Sequence, residues 1–148
     1  MILSNVLTVD SVLAGLPVSS IKPLQWVQNA AAHLVLNLDY RAHITPALQL
    51  QLYWLPVHYR IQYKIATLMH HIYSSTASTY LCDLISFSST RSSRSTTSGA
   101  AAVQHTRTRL GDRAFSVAGP RVWNNLPASL RQTVSAAAFK RRLKNLPF

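Results

Sequence analysis

The chain has 148 residues, 48% of them apolar, enough for one domain with a modest core and too apolar for a disordered polyelectrolyte. Fifteen basic residues stand against four aspartates and no glutamate, a formal charge of +11, so helices laced by Glu–Lys pairs are excluded. The single cysteine, Cys82, excludes an internal disulfide and fits a reducing, intracellular compartment, nuclear or cytoplasmic.

Residues 1–23 carry turn signals at Gly15-Leu16-Pro17 and Pro23, with a short apolar helix before Gly15. This stretch lacks the basic n-region of a signal peptide and contains Asp10. Leu24, Val27, Ala31, Leu34, Val35 and Leu38 fall at helical spacing, so 24–38 reads as an amphipathic helix. Gln25, Gln28, Asn29, His33 and Asn37 interrupt it. It is also shorter than the roughly 20 apolar residues of a membrane span.

Thr45-Pro46 is a helix-start signal, for a helix running to about Tyr53. Pro56 opens the strongest helix, in which Val57, Ile61, Ile65, Leu68 and Ile72 repeat at four and three residues with Met69 alongside. It is expected to end at Ser74-Ser75-Thr76, and Tyr80–Ile85 forms a further short helix. Residues 86–98 hold ten Ser/Thr in thirteen positions and read as a spacer; phosphorylation beside Arg91 and Arg94 is the competing reading. Beyond them Gly111, Gly119-Pro120 and Pro127 break the chain into short pieces, with one helix from Pro120 to Trp123 and another from Pro127 to Leu130. Ser135 caps a last helix with Phe139, Leu143 and Leu146 on one side and Lys140, Arg141, Arg142 and Lys144 mainly on the others.

The expected fold is mainly α, a small irregular helical bundle with a flexible Ser/Thr linker and a basic C-terminal arm. The divisions are a helical core 1–85, a linker 86–104 and a basic segment 105–148 with short helices.

Charge is placed unevenly. Lys22, Arg41, Arg60 and Lys64 face three aspartates in residues 1–90, whereas eleven basic residues face Asp112 alone in residues 91–148. Such asymmetry calls for a polyanionic partner, RNA or DNA. An anionic membrane surface competes, and so does plain accidental basicity. The expected contacts are Arg107, Arg109, Arg113 and Arg121, grouped around Phe115 and Trp123, and Lys140, Arg141, Arg142 and Lys144. Arginine forks match phosphate geometry, and aromatic rings offer faces to bases or to a core. Trp54 and Trp123, set among Leu55, Val57, Val122 and Leu126, read as core anchors rather than stacking platforms.

No metal or cofactor is called for. His70-His71 diverge by about 100° on a helix, and one cysteine without glutamate leaves a closed zinc site short of ligands. No Gly-rich phosphate loop, nucleophile elbow or close pair of acids is present, and the chain is not expected to be an enzyme.

Three blocks carry a resemblance: SVLAGLPVSSIKPLQWVQNAAAHLV (11–35), HITPALQLQLYWLPVHYRIQYKI (43–65), and TRTRLGDRAFSVAGPRVWNNLPASLR (106–131) with the closing FKRRLK (139–144). Together they resemble the C-terminal region of reverse transcriptases, the RNA-directed DNA polymerases encoded by non-LTR (LINE-type) retrotransposons, over about residues 11–148. The resemblance implies a tail that follows the polymerase fingers and palm and helps hold template RNA or target DNA. The palm's aromatic-Ala-Asp-Asp motif has no counterpart here, so no catalytic residue carries over. Arg107, Arg109, Asp112, Arg113, Phe115, Pro120, Arg121, Trp123 and Pro127 match the tail's pattern. His33 stands where the family has Arg, Tyr53 where it has His, and Ser78 where it has Pro. Residues 1–10 and the closing NLPF also depart from it, the pattern expected of a decayed or truncated copy.

Overall fold

The computed structural model describes residues 13–39, 41–50, 52, 54–87 and 99–145. Seven α-helices stand among them: α1 (Val18–Leu36), α2 (Ile44–Leu50), α3 (Val57–Tyr73), α4 (Thr79–Leu84), α5 (Phe115–Asn125), α6 (Ala128–Arg131) and α7 (Ala136–Lys144). A 3-10 turn at Gly111–Arg113 precedes α5. The described residues form no strand; one isolated antiparallel bridge joins Phe87 to Ala101. The architecture is mainly helical, as expected. The apolar helix before Gly15, the Ser/Thr-rich stretch 88–98 with Arg91 and Arg94, Tyr53 and Leu146 lie outside the described residues.

α3 is the centre of the bundle. Its buried side chains, Val57, Ile61, Ile65, Ala66, Met69, His70 and Ile72, follow the expected stripe, with Leu68 only half-buried. Pro56 caps it in extended conformation, and it ends at Ser74, after which Ser75 takes a positive φ of 53°. α5 and α7 pack on α3, α1 lies against its start, and α2 packs on α1.

α1 departs from the expected span of 24–38. It begins at Val18 and runs through Pro23, which has no N–H to give the Ser19 carbonyl; both residues are exposed. Its buried residues are Gln28 and Ala32, while Leu24, Val27, Leu34 and Val35 of the apolar stripe are 40–83% exposed. The inward amides have a task. Gln25 Oε1 accepts from Val57 N (2.9 Å) and Gln28 Nε2 donates to Leu55 O (3.0 Å), serving backbone groups at the open start of α3. Asn37 closes α1 in the left-handed conformation, at φ 49°.

Gly119-Pro120, read from sequence as a break, lies inside one continuous helix, α5, and is buried. The C-terminal segment shares one core with the helices before it: Trp123, Leu126, Leu130, Phe139 and Leu143 join Ile65, Met69 and Ile72 in a single cluster. Trp123 and Phe139 are fully buried, with Tyr73, Phe87 and His70 around them. The described ends of the 86–104 stretch are anchored too. Trp123 Nε1 donates to Gly99 O (2.8 Å), and the Asn124 carboxamide both accepts from Ala101 N and donates to Ala101 O (2.9 Å each). Trp54, in contrast to the expected anchor, is 37% exposed.

Candidate nucleic-acid interface

Arg107 sits on a bend and Arg109 on a turn that lead into the 3-10 turn. The threonines between them hold the loop: Thr106 Oγ1 donates to Asp112 Oδ1 (2.6 Å), and Thr108 Oγ1 accepts from Gly111 N (3.0 Å). The arginines that alternate with them are left exposed. Arg113, at the end of the turn, is exposed as well, and its Cγ lies where a Cβ on Gly15 would come within 3.0 Å. Gly15 has a φ of +70°, so the turn before α1 needs glycine both for its backbone and for this approach.

Arg121 projects from α5 and donates from Nη2 to Asp112 Oδ1 at 2.8 Å. Both side chains are about half-exposed, so the pair adds little stability, but it orients the arginine. The Thr106 hydroxyl first, and the Arg121 guanidinium second, hold the Asp112 carboxyl below its ordinary value. The one acid of the basic segment is thereby occupied from within.

A second group of cations lies on α7. The Ser135 hydroxyl accepts from Ala138 N at 3.5 Å to cap the helix. Phe139 and Leu143, one turn apart, face the core, which leaves Lys140, Arg141, Arg142 and Lys144 exposed. Arg142 Nη1 donates to Thr133 Oγ1 at 3.4 Å. Lys140 stands close enough to α3 to act on His71, together with Lys64. Burial first, then Lys140, His70 and Lys64, lowers the His71 pKa from its ordinary value. The Thr76 hydroxyl donates to the His71 carbonyl (3.2 Å) and lies 3.0 Å from His71 Nδ1, within hydrogen-bond distance.

All eight sequence-predicted contacts are thus exposed, in two groups: Arg107, Arg109, Arg113 and Arg121 around the 3-10 turn, which packs on α5, and Lys140, Arg141, Arg142 and Lys144 on α7. Sequence reasoning missed Lys64 and His71 as flanks of the second group. Their seven-residue spacing, two helical turns on one face, is the signal that points to them.

Trp123 is at the core, as its apolar neighbours predict. Trp123 is fully buried with its indole N–H engaged, and Phe115 is half-buried against the core. Arg131 lies inside: it is 4% exposed, with Nε and Nη1 buried and without hydrogen-bond partners. His70 is also internal, stacked on Phe139 at 4.2 Å with Nε2 donating to Thr133 O at 2.7 Å. Among the described residues no three His, Cys, Asp or Glu side chains are grouped to hold a metal ion, and no helix is long and apolar enough to cross a membrane. The surface can therefore offer point charges and guanidinium forks to phosphates, with no ring face from Trp123 to read a base.

Comparison with known proteins finds no matching family model, no matching curated protein and no matching solved structure.

Proposed function

We propose that this chain binds RNA or DNA through its phosphates, without reading sequence, as a non-catalytic remnant of the tail of a non-LTR retrotransposon reverse transcriptase. One observation carries the reading: eight exposed arginines and lysines share a segment whose single acid, Asp112, is already neutralised by Arg121 and Thr106. Such a surface gains its affinity from released counterions, so binding falls steeply with salt. The family part of the proposal rests on the three sequence blocks and their order.

Filter binding of a single-stranded oligonucleotide at two salt concentrations tests it. With four to six phosphates engaged, affinity for a single strand falls by roughly 50- to 300-fold between 50 and 200 mM salt. Absent binding, or binding indifferent to salt, overturns the proposal.

A second reading is favoured by the outer face of α1. Trp26, Val27, Leu34 and Val35 are each more than 60% exposed, a face suited to packing on another domain. On this reading the chain is an inactive truncated helical fragment that once packed on the missing polymerase domain, and it self-associates without binding nucleic acid.

A further inference from the structure

We propose that Arg131 anchors an internal site for one small oxyanion of the phosphate class. Arg131 ends α6, is 4% exposed, and has two buried donor atoms, Nε and Nη1, without partners. A guanidinium keeps its proton at any pH at which proteins fold, so deprotonation cannot relieve this burial. A buried charge without a counter-ion is strongly destabilising, and a charge-assisted hydrogen bond from Nε–H to an oxyanion is the contact that would offset it.

The chain does not provide the counter-ion among its described residues. Asp39 and Asp83 are exposed, Asp112 is taken by Arg121 and Thr106, and there is no glutamate. Two residues along, the Thr133 hydroxyl accepts from Arg142, and the Thr133 carbonyl is capped by the ring of His70. Near-complete burial selects a free ion over a polymer, because a nucleic-acid strand would bring its sugars along with each phosphate. The inference is therefore independent of the nucleic-acid proposal and survives its failure.

Thermal unfolding of the whole chain in inorganic phosphate, against chloride of equal ionic strength, tests it in wild type, Arg131→Met and Arg131→Gln. Wild type gains several degrees in phosphate beyond the chloride control. Both variants lose that increment although every surface cation remains, and Arg131→Met is the more stable in chloride. In wild type the Arg131 Nε–H resonance also shifts saturably with phosphate, a readout that holds even if a variant fails to fold. An equal phosphate increment in the variants, or an Nε–H resonance that phosphate does not move, overturns the site. A resonance that moves only with a single-stranded oligonucleotide overturns the small-ion assignment and adds Arg131 to the polymer interface.

Discussion

A Cβ placed on Gly119 of α5 would stand 2.8 Å from Sδ of Met69 on α3 and 3.4 Å from the Phe115 ring. The two helices meet where glycine leaves out a side chain, and Met69 is fully buried. Gly119→Ala is expected to cost about 1–2 kcal/mol, the overpacking penalty less what alanine gains over glycine within a helix. Thermal denaturation followed by circular dichroism should show a midpoint lower by about 3–8 °C. An unchanged or raised midpoint would mean that the crossing has room to spare.

The same pair shows why parts of the fold were legible in the sequence and others not. The α3 stripe was readable because Val57, Ile61, Ile65 and Ile72 are buried at the spacing their order announces. Gly119-Pro120 reads as a break under local rules, yet contact with Met69 across 50 residues makes glycine the residue that lets α5 pack. In α1, periodicity reveals an apolar face without saying whether the core or the outside receives it. The backbone groups of Leu55 and Val57 draw the glutamines inward and turn Val27 and Leu34 out. Charge was legible as a surplus, and the eight named cations are all at the surface. Nothing in the order of residues separates Arg131 from them, because its burial comes from a four-residue helix folding against α7.

Asn124 acts on Ala101 as a neighbouring strand would, meeting both its N–H and its carbonyl at 2.9 Å. Ala101 is 4% exposed, so Asn124→Ala leaves two buried backbone groups unpaired, at a cost of about 2–4 kcal/mol. Asn124→Asp keeps the acceptor but sets a carboxylate oxygen against the Ala101 carbonyl. Its deficit relative to wild type should shrink in acid, where the protonated carboxyl donates. Urea midpoints at pH 7 and pH 4 check both statements. An Asn124→Ala loss below about 0.5 kcal/mol, the ordinary range for a surface change, would show that water replaces the amide.

The outward face of α1 makes a prediction about association rather than folding. Val27 and Leu34 are 68% and 83% exposed, so Val27→Gln with Leu34→Gln should shift stability by no more than about 0.5 kcal/mol per site. The same pair removes apolar surface and should lower self-association, read by light scattering over a concentration series. Gln28→Leu is the contrast: it deletes the bond to Leu55 O within the bundle and should destabilise by about 1 kcal/mol while leaving association alone. If the double glutamine variant unfolds as readily as Gln28→Leu, α1 packs more tightly than its exposure shows.

His71 reports on the α7 cations from inside their field. Burial, then Lys140, His70 and Lys64, disfavours its imidazolium, so its ring titrates below the ordinary value of about 6.5. Unfolding then takes up a proton in the window between the folded and the unfolded pKa. The stability that neutral His71 contributes is whole above about pH 6.5 and declines as pH falls through that window toward the folded midpoint. Lys140→Gln should raise the midpoint part of the way and leave the effect of burial. A polyanion laid over Lys64 and Lys140 should raise it as well, since phosphate charge favours the protonated ring, while added chloride raises it less by screening alone. An NMR titration of the His71 ring, with and without a saturating oligonucleotide, separates these cases. A midpoint that Lys140→Gln leaves in place removes Lys140 from the field at His71. A midpoint that moves with Lys140→Gln but not with oligonucleotide places the bound strand away from α7, against the loop that carries Arg107 and Arg109.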